Sequence, residues 1–340
     1  MKKIVLCGGG TAGHVMPNIA LLPYLKRFKV VYLGCKGGIE EDLCKQHNID
    51  FHPIDTVKFS RSNLLQNFKI PVLLPKCVKK CGDLLKKLSP DVIFSKGGYA
   101  SLPVTLSAKK LGIPYVIHES DLTMGMANKL VAKNATYVMT NFPKTYTGKN
   151  GICTGIPLRD SLFSPLSRTY ILERLNLPQR ITLLVTGGSM GAKSLNDFIL
   201  SCLDELTQKY NVIHLTGKGK GTDIQKYGYL PIDFTQNMGE LYKCADVVIS
   251  RAGATVISEI RALSKKAILI PLSKKASRGD QIKNANHVKC ENIMVFEEEK
   301  LNKSDFFKAL DTLIKKPSDG AVKSGISNGD IVNLLYKISL

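Results

Sequence analysis

One pattern occurs twice in this chain and limits what it can fold into. The apolar run Ile4-Val5-Leu6-Cys7 leads into Gly8-Gly9-Gly10-Thr11-Ala12-Gly13-His14 and then Val15-Met16-Pro17-Asn18-Ile19-Ala20-Leu21-Leu22. Much later, Leu183-Leu184-Val185-Thr186 leads into Gly187-Gly188-Ser189-Met190-Gly191-Ala192. Each reads as strand, glycine-rich turn, helix. Glycine tolerates backbone angles and close approaches that a Cβ forbids. A helix starting behind such a turn offers unpaired N–H groups and a partial positive charge to an anion, above all a phosphate.

Short β-rich runs alternate with helical patterns between and after these units. Residues 4–6, 30–33, 92–94, 115–117 and 137–139 read as buried parallel strands, and 181–185, 212–215, 247–249 and 268–270 repeat the pattern. A chain of 340 residues exceeds what one core usually organises. The expected class is α/β, with two doubly wound, Rossmann-like parallel-sheet domains facing a cleft. The boundary is expected at Gly155-Ile156-Pro157-Leu158, giving domains 1–158 and 159–328. A final helical segment, 329–340, could pack back on the first domain.

The formal charge of +20 is uneven, with 22 Lys/Arg against 9 Asp/Glu in residues 1–158. Such an excess points to an anionic partner. The nine cysteines are scattered without a Cys-x-x-Cys pair, which argues against a zinc or redox motif and suits free thiols in a reducing compartment. The N-terminus reads as neither a signal peptide nor a membrane span.

Gly8-x-Gly10-x-x-Gly13 formally satisfies a dinucleotide pattern. The second strand, however, ends in Gly34-Cys35-Lys36-Gly37-Gly38 with no acid at its tip to hold a ribose, which tells against NAD. A Walker signature is also absent. The second half offers a carboxylate instead, in the run Ser250-Arg251-Ala252-Gly253-Ala254-Thr255-Val256-Ile257-Ser258-Glu259. Glu259 falls in the first turns of a helix, where it could accept from vicinal ribose hydroxyls while Ala254 and Thr255 bring N–H groups to phosphate. The bland alternative is a carboxylate that only complements the helix dipole.

Taken together, the motifs resemble the MurG family of glycosyltransferases. The resemblance runs in order through Gly9-Gly10-Thr11-Ala12-Gly13-His14, Lys96-Gly97-Gly98-Tyr99, His118-Glu119-Ser120-Asp121 and Gly155-Ile156-Pro157-Leu158-Arg159. It continues through Gly187-Gly188-Ser189-Met190-Gly191-Ala192, Ser258-Glu259, and Arg278-Gly279-Asp280-Gln281 with Asn284-Ala285. It implies a GT-B fold and inverting, metal-independent transfer of N-acetylglucosamine from UDP-N-acetylglucosamine, with no cofactor. The implied acceptor is the muramyl 4-hydroxyl of undecaprenyl-pyrophosphoryl-muramyl-pentapeptide, in peptidoglycan synthesis. It further implies a peripheral place on the cytoplasmic face of the cell membrane, and partners among cell-wall synthesis and division proteins. No Asp-x-Asp at a strand end contradicts a metal-free reaction.

By matching position, the resemblance puts Ser189 on the pyrophosphate with Arg159 near it. Glu259 meets the ribose, with Ala254, Thr255, Val256, Ile257 and Ser258 lining the same site. Gln281 meets the sugar, and Thr235 stands where the family has an apolar residue against uracil. Thr11, Ala12, Gly13 and Asp121 approach from the acceptor side. Ala12 replaces a frequent glycine, and Asp121 replaces an asparagine and so cannot donate when ionised. His14, at the start of the first helix, is the candidate base, with Glu119 the weaker alternative. His118, after Tyr115-Val116-Ile117, reads as a satisfied core histidine.

Residues 58–110 carry eleven Lys/Arg and two acids. Cys77, Val78, Cys81, Leu84, Leu85 and Leu88 share one helical face flanked by lysines, behind a proline-broken apolar stretch, 70–75. That suits a contact with anionic inner-leaflet lipid. An ordinary core-facing helix fits the pattern equally well. The basic residues lack aromatic stacking platforms, which argues against nucleic acid. The competing functions are a UDP-N-acetylglucosamine epimerase of similar fold and a non-catalytic nucleotide-binding protein.

Overall fold

The structure, a computed structural model, describes residues 1–58, 64–274, 278–317 and 326–340. The chain divides into two compact units. One comprises Met1–Arg159 and the C-terminal stretch with the last helix, and the other begins at Asp160.

The first unit is built on a seven-stranded sheet: β1 (Lys2–Cys7), β2 (Phe28–Cys35), β3 (Asp50–Ile54), β4 (Val92–Ser95), β5 (Tyr115–Glu119), β6 (Tyr137–Thr140) and β7 (Gly151–Cys153). Their order is β3-β2-β1-β4-β5-β6-β7, every neighbouring pair parallel. The second unit repeats the plan with β8 (Thr182–Thr186), β9 (Asn211–Leu215), β10 (Tyr229–Ile232), β11 (Val247–Ser250), β12 (Lys266–Leu269) and β13 (Ile293–Val295). Their order is β10-β9-β8-β11-β12-β13, again all parallel. In both sheets the strand order reverses beside the glycine-loop strand, between β1 and β4 and between β8 and β11. Such switch points are where doubly wound sheets bind ligands.

The nine strands expected from sequence are present. Four further strands, β3, β7, β10 and β13, occupy the sheet edges. The reason is burial. Central strands such as β4, β8 and β11 are buried at every residue, so they read as apolar runs. The edge strands are only partly buried: β3 and β7 carry no such run, β10 contains a proline, and the apolar β13 is only three residues long.

Apolar clusters cover both faces of the first sheet. On one face, Ile4, Leu6, Val15, Phe94 and Val116 pack with Ile331, Val332 and Leu335 of the Asn328–Ile338 helix. That helix starts on a capping box, Ser327 with Asp330, and its Asn328 Nδ2 donates to Leu158 O at 2.7 Å. On the other face, Cys81, Leu85, Val104 and Ile117 pack together. The Ile70–Leu88 helix therefore corrects the sequence reading. Its Cys77, Val78, Cys81 and Leu85 are buried, and Leu84 and Leu88 pack against the same core. The stripe expected to meet lipid is the helix's core face. Residues 70–75 are helical rather than broken: Pro71 sits in the first turn, where its missing N–H costs nothing, and Pro75 lies inside the helix.

Candidate functional site

In the first unit the relevant side chains stand at the carboxyl ends of β1, β4 and β5, three neighbouring strands. The Ala12–Leu21 helix follows the glycine loop, with Thr11 at its N-cap and no side-chain cap on its first amides. His14 lies in the first turn, half-buried, with Nδ1 2.9 Å from Thr11 Oγ1. If Nδ1–H donates to Thr11, Nε2 is left as the basic nitrogen. The loop after β4 comes close: a β-carbon at Gly98 (φ +82°) would stand 2.9 Å from Gly9 O and 3.7 Å from the imidazole. Thr11 is exposed, Gly13 is half-buried, and Ala12 opens the helix.

A carboxylate does serve this loop, but not at the tip of β2. Glu40, at the start of the Ile39–Gln46 helix, is completely buried. Its Oε1 accepts from Cys35 N at 3.0 Å and its Oε2 from Gly10 N at 3.4 Å. Room for it exists because Gly9, Gly34 and Gly38 lack side chains, since a β-carbon at any of them would stand within 2.6 Å of Glu40 atoms. An amide that a phosphate would need is thus already paired with a protein carboxylate. That pairing takes one amide of the loop, while the first amides of the helix behind it carry no side-chain cap.

The segment after β5 is held from several sides. Glu119 is buried and accepts four hydrogen bonds, from Ser120 N, Asp121 N, Gly125 N and Asn128 Nδ2, at 2.9–3.2 Å. Those bonds commit it to shaping the turn. Asp121 is half-buried, and its carbonyl accepts from Thr145 Oγ1. His118 is buried with both ring nitrogens partnered, Nε2 to Gly155 O at 2.7 Å and Nδ1 to Lys96 Nζ at 2.6 Å. Burial, then the Lys96 charge, hold its pKa well below 6.5, so it is a neutral Nε2–H imidazole. Lys96 is itself buried, and desolvation lowers its ammonium to about 7 against the pull of Glu119 and Asp121.

In the second unit the carboxyl ends of β8, β11 and β12 surround a pocket of about 420 Å³. Gly187, Gly191, Ala192, Lys193, Ser194, Asp197, Arg251, Leu272 and Gln281 line it. Ser189 lies half-buried on the β8 loop, and Gly191 packs that loop against the Thr216 carbonyl, where no β-carbon would fit. Gln281 Oε1 accepts from Leu272 N at 3.0 Å, so the group it can offer a ligand is its Nε2 amide. The Ala254–Ala262 helix starts at Gly253 without a side-chain cap, leaving its first amides to a ligand or solvent. Glu259 is six residues into that helix and buried, and it accepts from Tyr242 Oη at 2.8 Å. A helix dipole acts within the first turn, so the dipole-only account of Glu259 fails. Val256 and Ser258 belong to the same helix, with Ile257 facing the core. Thr235 stands apart, in the loop after edge strand β10, two strands from β8, beside exposed Phe234. Arg159 closes the first unit and is half-buried.

Sequence reasoning missed Glu40, Arg251 and the burial of Lys96. Arg251 is 7% exposed, donates to Ile270 O and Ser194 Oγ, pairs with Glu298, and has a buried Nε without a partner beside the pocket. The available signal was a cation directly after an apolar run closed by a serine, as in Val92-Ile93-Phe94-Ser95-Lys96 and Val247-Val248-Ile249-Ser250-Arg251.

Comparison with known proteins bears on both units. The model of the glycosyltransferase family 28 N-terminal domain matches residues 4–140, and that of the family 28 C-terminal domain matches 182–330. A relative from Clostridium tetani is 41% identical over 355 residues, covering 99% of this chain and 98% of its own. It is named UDP-N-acetylglucosamine–N-acetylmuramyl-(pentapeptide) pyrophosphoryl-undecaprenol N-acetylglucosamine transferase. The crystal structure of Acinetobacter baumannii MurG superposes with a TM-score of 0.75 at 25% identity, covering 99% of this chain and all of that one. UDP-GlcNAc 2-epimerase from Methanocaldococcus jannaschii shares the fold, with a TM-score of 0.65 at 14% identity over 99% of this chain and all of that one.

Proposed function

The chain belongs to glycosyltransferase family 28, and on that footing we propose that it transfers N-acetylglucosamine from UDP-N-acetylglucosamine to the muramyl 4-hydroxyl of undecaprenyl-pyrophosphoryl-muramyl-pentapeptide. The observation that carries this reading is 41% identity, over 99% of the chain, to a relative named for that reaction. The epimerase shares only the fold, and a fold does not by itself imply a function.

In this reading the second unit holds the donor. Uncapped amides at Ala254 and Thr255, with Ser189, meet the diphosphate, and Arg159 adds charge. Buried Glu259 takes the ribose hydroxyls, and the Gln281 amide donates to the sugar. Thr235 offers the uracil backbone contacts. The first unit takes the acceptor at Thr11, Ala12, Gly13 and Asp121. His14 removes the proton of the attacking hydroxyl as it displaces UDP with inversion at the anomeric carbon. The four bonds already made by Glu119 favour His14 over Glu119 for that role.

The chain would work from the cytoplasmic face of the membrane as a peripheral protein. Among the described residues no helix is long and apolar enough to cross a bilayer. Phe68, Val72 and Leu73, at the start of the Ile70–Leu88 helix, are exposed next to Lys69, Lys76 and Lys79. Apolar side chains ringed by lysines suit insertion at an anionic lipid surface.

The deciding assay measures UDP release from UDP-N-acetylglucosamine with and without the lipid-linked muramyl acceptor. Acceptor-dependent release with a β-linked disaccharide product is the expected result. Isomerised sugar formed without acceptor would establish the epimerase instead.

A further inference from the structure

We propose that Lys96 is a positioning residue for the acceptor side of the site, tying Ser120 to His118 and so fixing the Ser120-Asp121 turn. The proposal rests on the reading of the first unit as the acceptor's.

Its place in the fold is the first argument. Cys7 of β1 pairs with Ser95 of β4, and Thr186 of β8 pairs with Ser250 of β11. Lys96 and Arg251 are therefore equivalent residues in two copies of one architecture. Each ends the strand beside the switch point, and each is a buried cation. In the second unit that cation borders the pocket. In the first unit it turns toward the segment after β5.

The contacts are the second argument. Lys96 N donates to Cys7 O at 2.9 Å, which anchors the residue beneath the glycine loop. Nζ lies 2.6 Å from His118 Nδ1 and 2.7 Å from Ser120 Oγ. His118 passes the chain on to Gly155 O, across the end of the sheet. The turn's backbone is held by Glu119 at Ser120 N and Asp121 N, by Asn141 Nδ2 at Ser120 O, and by Thr145 Oγ1 at Asp121 O. Lys96 is the group that holds the Ser120 side chain in this set. A turn fixed before a ligand arrives spares that ligand the cost of ordering it.

The third argument is cost. A buried amino group is expensive to desolvate, and an apolar side chain of the same length would fill the space without that penalty. Filling space alone does not call for an amine here. Bonding at once to His118 of β5 and to Ser120 of the turn after it does.

The test compares Lys96→Met, which keeps the stem and loses the nitrogen, with Ser120→Ala and the double variant. Steady-state transfer to the lipid-linked muramyl acceptor is measured alongside UDP affinity. The expected result is an acceptor KM at least tenfold higher in Lys96→Met, with donor KM and UDP affinity within twofold of the unsubstituted chain. The double variant should be no worse than Lys96→Met, because both changes remove one interaction. The ¹⁵N resonance of His118 Nδ1 should move when its donor is removed. Acceptor KM within twofold, additive losses, or donor and acceptor KM rising together would each overturn the proposal. If Lys96→Met does not fold, Ser120→Ala decides alone: an unchanged acceptor KM sinks the idea, and a selective rise supports it. Absence of transfer by the unsubstituted chain overturns the acceptor reading and this proposal with it. The His118 resonance still reports the Lys96 bond in that case, so the two failures are distinguishable.

Discussion

Two residues of the first unit, His14 as the proposed base and Lys96 as the proposed positioning residue, each give a prediction. His14 touches Thr11 and neighbours the Gly98 backbone, at the start of a helix without a side-chain cap. His14→Ala should lower turnover by about 10²-fold or more, the scale of a lost general base, while UDP binding measured by calorimetry persists. Near-normal turnover would remove His14 from the role. Lys96 should be visible in stability. Desolvation lowers its pKa to about 7 in the folded chain, against 10.5 ordinarily, with Glu119 and Asp121 pulling the other way and neutral His118 and Ser120 accepting from it. Above pH 7 the folded chain therefore releases a proton that the unfolded chain keeps. Stability from this group rises with pH, by up to about 1.4 kcal/mol per unit. The window closes near 9, because the buried thiols of Cys7, Cys44 and Cys81, raised by desolvation to about 12, act with the opposite sign above their ordinary 9.0. Urea unfolding at pH 7 and 9 should show Lys96→Met losing about 2 kcal/mol of the rise seen in the unsubstituted chain. Equal rises would mean that Lys96 is charged throughout.

At the scale of elements, the Ile70–Leu88 helix has two jobs along its length. Its middle and end bury Cys77, Val78, Cys81 and Leu85, and Ser107 Oγ binds its Val78 carbonyl at 2.7 Å. Its start leaves Val72 and Leu73 exposed beside Phe68. Replacing Phe68, Val72 and Leu73 together by Ser should cut partitioning to vesicles containing phosphatidylglycerol by at least tenfold, with a smaller effect on stability than a core change, since these side chains are largely or partly in water already. Lys76→Glu should weaken the same partition further at low salt than at high salt. Vesicle binding that is indifferent to the apolar triple change would move the membrane contact elsewhere.

For the whole molecule, the chain's end belongs to its beginning. The Asn328–Ile338 helix completes the first unit's core through Ile331, Val332 and Leu335, while the proposed donor residues other than Arg159 lie in the second unit. Deleting residues 326–340 exposes that core face and should destabilise the first unit by several kcal/mol, removing its capping box as well. UDP affinity should be retained. Hydrogen exchange would show the loss of protection confined to β1, β4 and the Ala12–Leu21 helix, and protection lost equally in β8 and β11 would contradict it.

Sequence alone determined the α/β class, the two-fold repeat and the central strands, because a strand buried on both faces must be apolar throughout. It also carried the family motifs, because glycines at close approaches have no substitutes. The edge strands escaped it, since half-exposed strands need no long apolar run, and β13, though apolar, has only three residues. So did the inward turn of the Ile70–Leu88 stripe, because one amphipathic face fits core or lipid equally until its neighbours are known. Only tertiary structure decided which charges are buried. Glu40 lies against distant Gly9 as well as nearby Gly34 and Gly38, Lys96 meets a histidine of the next strand and the serine just after it, and Glu259 meets Tyr242. A charged residue looks solvated in one dimension. Its partners, and hence its protonation and purpose, come from strands brought side by side by folding.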